Sequence, residues 1–191
     1  VTFNGTGNQV VSKTGGESFQ NVVVNKASGN LNLGSDINIA GTLTLTNGIV
    51  NTGANVVSVT NTTTPISGGS STAYVNGKLQ ITYPATGTNV IRVFPIGKGG
   101  VYRPTEFIYS TAPGSRSVLL EQFETHSHFP TNSTASTTTF GTRYWTVTQS
   151  SIGVPFRIGL DNGGVPPPSA GDVVMLRKDD TTVTLDNVTT L

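Results

Sequence analysis

The chain has 191 residues, of which 11% are charged, with a formal net charge of +1 and no cysteine. That length suffices for one large or two small domains whose core needs no staples, and the missing cysteines exclude a disulfide framework, a thiol nucleophile and a zinc–thiolate site. The Lys and Arg residues are scattered without a basic run, so the electrostatic footprint of a nucleic-acid partner is missing, and no apolar run approaches the roughly 20 residues that a membrane helix needs, so no membrane insertion is expected.

The opening residues, Val1-Thr2-Phe3-Asn4-Gly5, have neither a basic nor an apolar leader segment. A secretory signal is therefore expected to have been removed or to lie upstream, and the chain reads as an excerpt of a longer protein. Polarity is supplied by 31 Thr with many Ser, Asn and Gly, which is how a solvent-facing β surface stays polar without Lys and Glu. Such a composition suits an extracellular protein.

Residues 1–76 predict a three-sided β-solenoid. Val1-Thr2-Phe3, Val22-Val23-Val24 and Leu43-Thr44-Leu45 are short apolar-containing triplets separated by 21 residues. Between them recur Val10-Val11, Leu31-Asn32-Leu33 and Ile49-Val50, and then Phe19, Ile37-Asn38-Ile39 and Val56-Val57-Ser58-Val59. Three strands of about three residues per turn, with Gly, Asn or Ser at the corners, is solenoid geometry. About three turns are expected, with Asn4, Asn25 and Thr46 sharing one phase as an outward or corner ladder. An end strand without a polar cap exposes backbone groups that invite further pairing, so either preceding turns in the intact protein or a partner is expected at the N-terminal edge, which is the expected interaction surface.

Residues 77–191 predict an antiparallel β-sandwich. Strands are expected at 78–83, 89–94, 103–110, 117–123, 142–149, 155–160, 173–177 and 183–185, separated by turn clusters. Pro84, Pro95, Pro104 and Pro113 fall at strand ends, where a missing N–H is tolerated. Residues 131–139 are expected to form a low-complexity loop, since they offer no core-forming side chain. The fold class is thus all-β, a short three-sided solenoid followed by a sandwich.

The run Phe94-Pro95-Ile96-Gly97-Lys98-Gly99-Gly100-Val101-Tyr102-Arg103-Pro104, preceded by Tyr74-Val75-Asn76-Gly77-Lys78-Leu79, resembles a module of large secreted and cell-surface proteins of the Bacteroidota. There a Thr/Asn/Gly-rich solenoid, with phrases such as Gly41-Thr42-Leu43-Thr44-Leu45-Thr46, leads into a sandwich that carries this segment and an aromatic pair like Tyr144-Trp145. The resemblance covers essentially the whole chain. It implies export, usually by the type IX route, and an adhesin-like surface role. The sorting domain that such exports usually carry is not recognisable after Asp186.

Candidate sites each lack a necessary member. His126 and His128, with Glu121 and Glu124, resemble a metal or acid–base cluster but have no identifiable third ligand. Gly97-Lys98-Gly99-Gly100 could cradle an anion, yet it lacks phosphate-loop spacing, and its glycines read better as permitting positive φ between two strands. Asp161, Asp172, Asp179, Asp180 and Asp186 show no calcium-loop spacing. Tyr102, Tyr144 and Trp145 could stack on a sugar, although Trp in an alternating strand reads as core. The outward Thr42, Thr44 and Thr46 do not form a regular water-ordering array, because Val23 and Asn25 share their phase. No serine-nucleophile motif is present, and the acids of the solenoid, Glu17 and Asp36, are too sparse for paired-carboxylate chemistry.

The expectation is therefore an extracellular or cell-surface structural or adhesive module that assembles end to end into a fibre or array. It is expected to be neither an enzyme nor dependent on a metal or cofactor. Its partners are other copies of itself or neighbouring domains of the same chain, with surface glycans as a further candidate. The alternative is a carbohydrate-binding module of a larger exported enzyme.

Overall fold

The computed structural model describes residues 1–124, 144–150 and 156–160, together with the strands Met175–Asp179 and Thr182–Asp186. Every described element is a strand, turn or loop. The coiled part comprises β1 (Thr2–Phe3), β2 (Gln9–Val11), β3 (Glu17–Phe19), β4 (Val22–Asn25), β5 (Leu31–Leu33), β6 (Ile37–Ile39), β7 (Leu43–Asn47), β8 (Val50–Val59), β9 (Ile66–Gly68) and β10 (Val75–Thr82). It is followed by β11 (Thr88–Phe94), β12 (Ile96–Lys98), β13 (Val101–Tyr102), β14 (Thr105–Thr111), β15 (Ser117–Phe123), β16 (Tyr144–Gln149), β17 (Phe156–Leu160), β18 (Met175–Asp179) and β19 (Thr182–Asp186).

A three-residue strand cannot bury its apolar side alone, and stacking in parallel on the next coil solves that problem. The first face stacks β1, β4, β7 and β9, with Thr2 beside Val23 and Val23 beside Thr44, the 21-residue period read from the sequence. The second face stacks β2, β5, the start of β8, the start of β10, and β12. The third stacks β3, β6, the end of β8 and the end of β10. Inward residues of each coil, among them Val24, Leu31, Ile39, Leu45, Val57 and Leu79, are buried in one continuous core. Each such side chain contributes about 1.5–3 kcal/mol relative to exposure.

About five turns are present rather than three: β9 and the two halves of β10 add a fourth layer and β12 a fifth, and β8 and β10 each round a corner without breaking. In β8, Val50 and Asn51 lie on the second face while Val57 to Val59 lie on the third. In β10 the corner is Gly77, at φ 129°, where a Cβ would lie 2.0 Å from Thr52 Oγ1. The boundary expected between residues 76 and 77 falls inside β10, which extends both solenoid faces and pairs antiparallel with β15.

The outward ladder also differs from expectation. A register shift between Val24 and Asn25 sets Asn25 beside Asn47, so Asn25 and Thr46 do not share a rung. The ladder that forms is on the second face: Asn51 Nδ2 donates to Asn32 Oδ1 at 2.9 Å, and Asn76 Nδ2 to Asn51 Oδ1 at 2.9 Å. It ends where Gly97 stacks on Asn76, whose Oδ1 is buried without a partner among the described residues.

One corner is built around a charge. Lys26 is 1% exposed, and its ammonium donates to Gly5 O at 2.9 Å, Gly7 O at 2.8 Å and Gln9 Oε1 at 2.8 Å. A coil thus grips the loop of the coil before it. Gly48 leaves room for this stem, since a Cβ there would lie 2.9 Å from that of Lys26.

The sandwich shares its larger sheet with the solenoid. From β10 the sheet continues antiparallel through β15, β16, β19 and β18. A three-stranded sheet, β11-β14-β17, supplies the second layer. Between them Tyr83, Phe107 and Tyr109 meet edge to face, at centroid distances of 4.9–6.1 Å, and Phe156 stacks on Phe107 at 4.6 Å. The buried hydroxyl of Tyr83 donates to Phe107 O at 2.8 Å, and that of Tyr109 bonds Gln149 Oε1. These two buried hydroxyls therefore find acceptors within the interior.

Candidate functional site

The Phe94–Pro104 segment sits where the solenoid ends, and its residues show how. Phe94, buried at the end of β11, pairs with Thr105. The chain then turns at Pro95 so that Ile96 stacks on Val75 as a fifth layer, with Val75 N donating to Pro95 O at 2.9 Å. Gly97 is needed for contact: a Cβ would lie 2.1 Å from Val101 O and 2.8 Å from the Tyr74 ring. Gly99 and Gly100, at φ 60° and 86°, reverse the chain so that β13 pairs antiparallel with β12. Positive φ at both central positions is the hairpin geometry that glycine favours. The resembling motif is thus the piece that ends parallel stacking on the second face.

Its charged side chains are committed to the neighbouring strand. Lys98 Nζ lies 2.8 Å from Glu121 Oε1 and 5.1 Å from the Phe123 ring centre, and Phe123 in turn stacks on Tyr144 at 4.5 Å. Arg103 Nε lies 3.0 Å from Glu124 Oε1, which also accepts from Gln122 Nε2 at 3.0 Å. Two cations and two carboxylates compensate each other at the junction, and Lys98 is held by a carboxylate rather than offered to an anion.

The other candidates fall as follows. His126 and His128 lie outside the described residues, and the two carboxylates considered with them are the ones bound by Lys98 and Arg103. Asp161, Asp172 and Asp180 also lie outside the described residues, and register puts Asp179 and Asp186 at opposite ends of the β18–β19 hairpin. Tyr102, Tyr144 and Trp145 do not form one platform. Tyr102 packs on Tyr74 at 5.8 Å, Tyr144 on Phe123, and Trp145 is 3% exposed in the core. Among the described residues its indole Nε1 is buried without a partner, as is the Tyr74 hydroxyl, whose pKa burial raises. The threonine row of the first face reads Thr2, Val23, Thr44, Ser67, one residue per coil, and Thr42 is spent on Thr64 O at 2.8 Å.

A shallow cleft of about 460 Å³ lies at the corner between the second and third faces. Sequence reasoning did not find it, since it is built by the stacking of three separate corner loops. Its polar groups join one coil to another: Asp36 Oδ1 accepts from Val56 N at 2.9 Å, Asn55 Nδ2 donates to Leu33 O at 2.9 Å, and Ser35 Oγ accepts from Lys13 N at 3.0 Å. None of its lining residues is aromatic.

Among the described residues β1, β2 and β3 each pair on one side only, and together they form the outer rim of the first coil. Compared with family models, curated proteins and solved structures, the chain matches none.

Proposed function

We propose that the chain is a structural or adhesive module of an extracellular or cell-surface protein, non-catalytic, with the solenoid as a rigid rod and the sandwich as its cap and contact surface. The observation that carries this reading is the commitment of polar side chains to holding layers together: the buried Lys26 ammonium ties one coil to the loop of the coil before it, and Asn32, Asn51 and Asn76 bond to one another across three coils. The self-neutralised junction and the interlayer use of the cleft's polar groups support a load-carrying body over a reactive one. The carbohydrate-binding alternative draws no support from Trp145, which is buried.

The test is display of the chain on beads, scored for adhesion to cells and to itself, with electron microscopy of the purified protein. Adhesion or a defined assembly is expected. A chain that does neither, or that turns over a substrate, overturns the proposal.

A further inference from the structure

The smaller sheet of the sandwich, β11-β14-β17, has one face in the interior and one toward solvent. Phe107 and Tyr109 of β14 are buried on the inner face, so Glu106 and Ile108, which alternate with them, point outward. By register Ile91, Ile108 and Arg157 form one rung of the outer face, and Val93, Glu106 and Gly159 form the next. A solvated face of an antiparallel sheet is ordinarily polar, as the outward Lys78, Gln80 and Thr82 of β10 are. The outer face of β11 departs from this. Ile91 and Val93 stand there 48% and 45% exposed, while Phe94 of the same strand is buried. A strand that is apolar on both faces has the composition of one that is covered on both. Two charges frame this apolar centre, since Glu106 and Arg157 are both exposed and lie one rung apart on adjacent strands. Among the described residues neither is in an ion pair, the pairs being Lys13–Glu17, Lys98–Glu121 and Arg103–Glu124.

Resting on the structural reading above, in which the sandwich supplies the contact surface, we propose that two copies of this chain pack face to face through the outer face of β11-β14-β17 about a two-fold axis. The axis lies in the plane of contact, between Glu106 and Arg157. It exchanges the two, setting Glu106 of each copy against Arg157 of the other, and it lays Ile91 and Ile108 against the same residues of the second copy. Strands of the two sheets then cross steeply, which is one of the two ordinary ways that sheets pack. The occupant is a second copy because the face complements itself. It holds one acid and one base beside an apolar centre, and an isologous contact satisfies both charges at once. Each chain has one such face, so the product is a dimer and not a fibre.

Sedimentation velocity over a wide concentration range tests this on the 191-residue chain. Dimers with no larger species are expected. Glu106→Arg and Arg157→Glu each set two like-charged pairs across the axis and weaken dimerisation by about tenfold, while an equimolar mixture of the two variants recovers it as a heterodimer. The double variant Ile91→Thr with Val93→Thr keeps β-branched residues in the strand and weakens dimerisation by about tenfold or more. All four positions are exposed, and unchanged melting of the variants at concentrations where they are monomers shows that folding is intact. A monomer at every concentration, a dimer indifferent to these changes, a mixture that stays dissociated, or open-ended oligomers would overturn the proposal. A monomer that adheres to cells overturns the pair and leaves the adhesive reading standing, whereas a dimer that responds to the variants yet turns over a substrate upholds the pair and overturns the structural reading.

Discussion

Replacing Lys26 by Met keeps the length of the stem and deletes only the ammonium. Three oxygens, Gly5 O, Gly7 O and Gln9 Oε1, then lose donors at 2.8–2.9 Å. A hydrogen bond to a charged group has a net worth of about 1.5–3 kcal/mol, and a buried acceptor left unsatisfied costs about 1–3 kcal/mol. Two effects reduce that sum. The loop of residues 5–9 is partly exposed, so water replaces some of the lost donors. The variant also escapes the several kcal/mol needed to desolvate a buried ammonium. The balance is a loss of about 2–4 kcal/mol, which for a chain of this size is about 4–16 °C in Tm. Calorimetry measures the shift, and amide exchange locates it: protection should fall in β1 and β2 before the rest of the molecule. A variant as stable as the parent, with β1 and β2 equally protected, would refute the view that this ammonium ties successive coils together.

The two junction glycines should separate by mechanism. Gly97→Ala drives a Cβ to 2.1 Å from Val101 O and should cost about 3 kcal/mol or more, whereas Gly99→Ala, at φ 60° with open space around it, should cost about 1 kcal/mol; urea midpoints give the order. Asn51→Ala removes both amide bonds of the ladder and should cost about 1–2 kcal/mol by the same assay. Burial first raises the Tyr109 hydroxyl from 10.0 to about 12, and burial together with the adjacent Tyr109 pushes Tyr83 up as well. Since the folded state favours the neutral phenols, their contribution is complete below pH 10.0 and is lost as pH rises toward about 12. Urea midpoints measured at increasing alkalinity should fall over that window, and Tyr109→Phe should flatten the decline; an unchanged slope would contradict it.

The parallel registers Thr2–Val23–Thr44 were legible because inward residues must stack on inward residues, so a period survives in sequence wherever coils have equal length. The asparagine ladder was hidden because Asn32, Asn51 and Asn76 are 19 and 25 residues apart, and corners of unequal length break a fixed period without breaking the stack. The same variability hid the fourth and fifth coils. The alternating run of β10 looks like an ordinary sandwich strand, and nothing local marks that Val75 lies on one face and Leu79 on another. Lys26, in a run of Asn, Ala and Ser, reads as a solvated loop residue; only the loop brought beneath it by the previous coil makes it structural. Trp145 was legible as core from its place in an alternating strand, and is core.

Sequence by itself determined the β class, the three-strand coil and its approximate period, and most strands of the sandwich, because alternation and turn residues act over a few residues at a time. Tertiary structure alone decided how many coils stack, which asparagines align, and that Lys98 and Arg103 are held by Glu121 and Glu124. Those features depend on contacts between residues about 20 or more apart, and the distance between such residues is set by how the intervening corners fold.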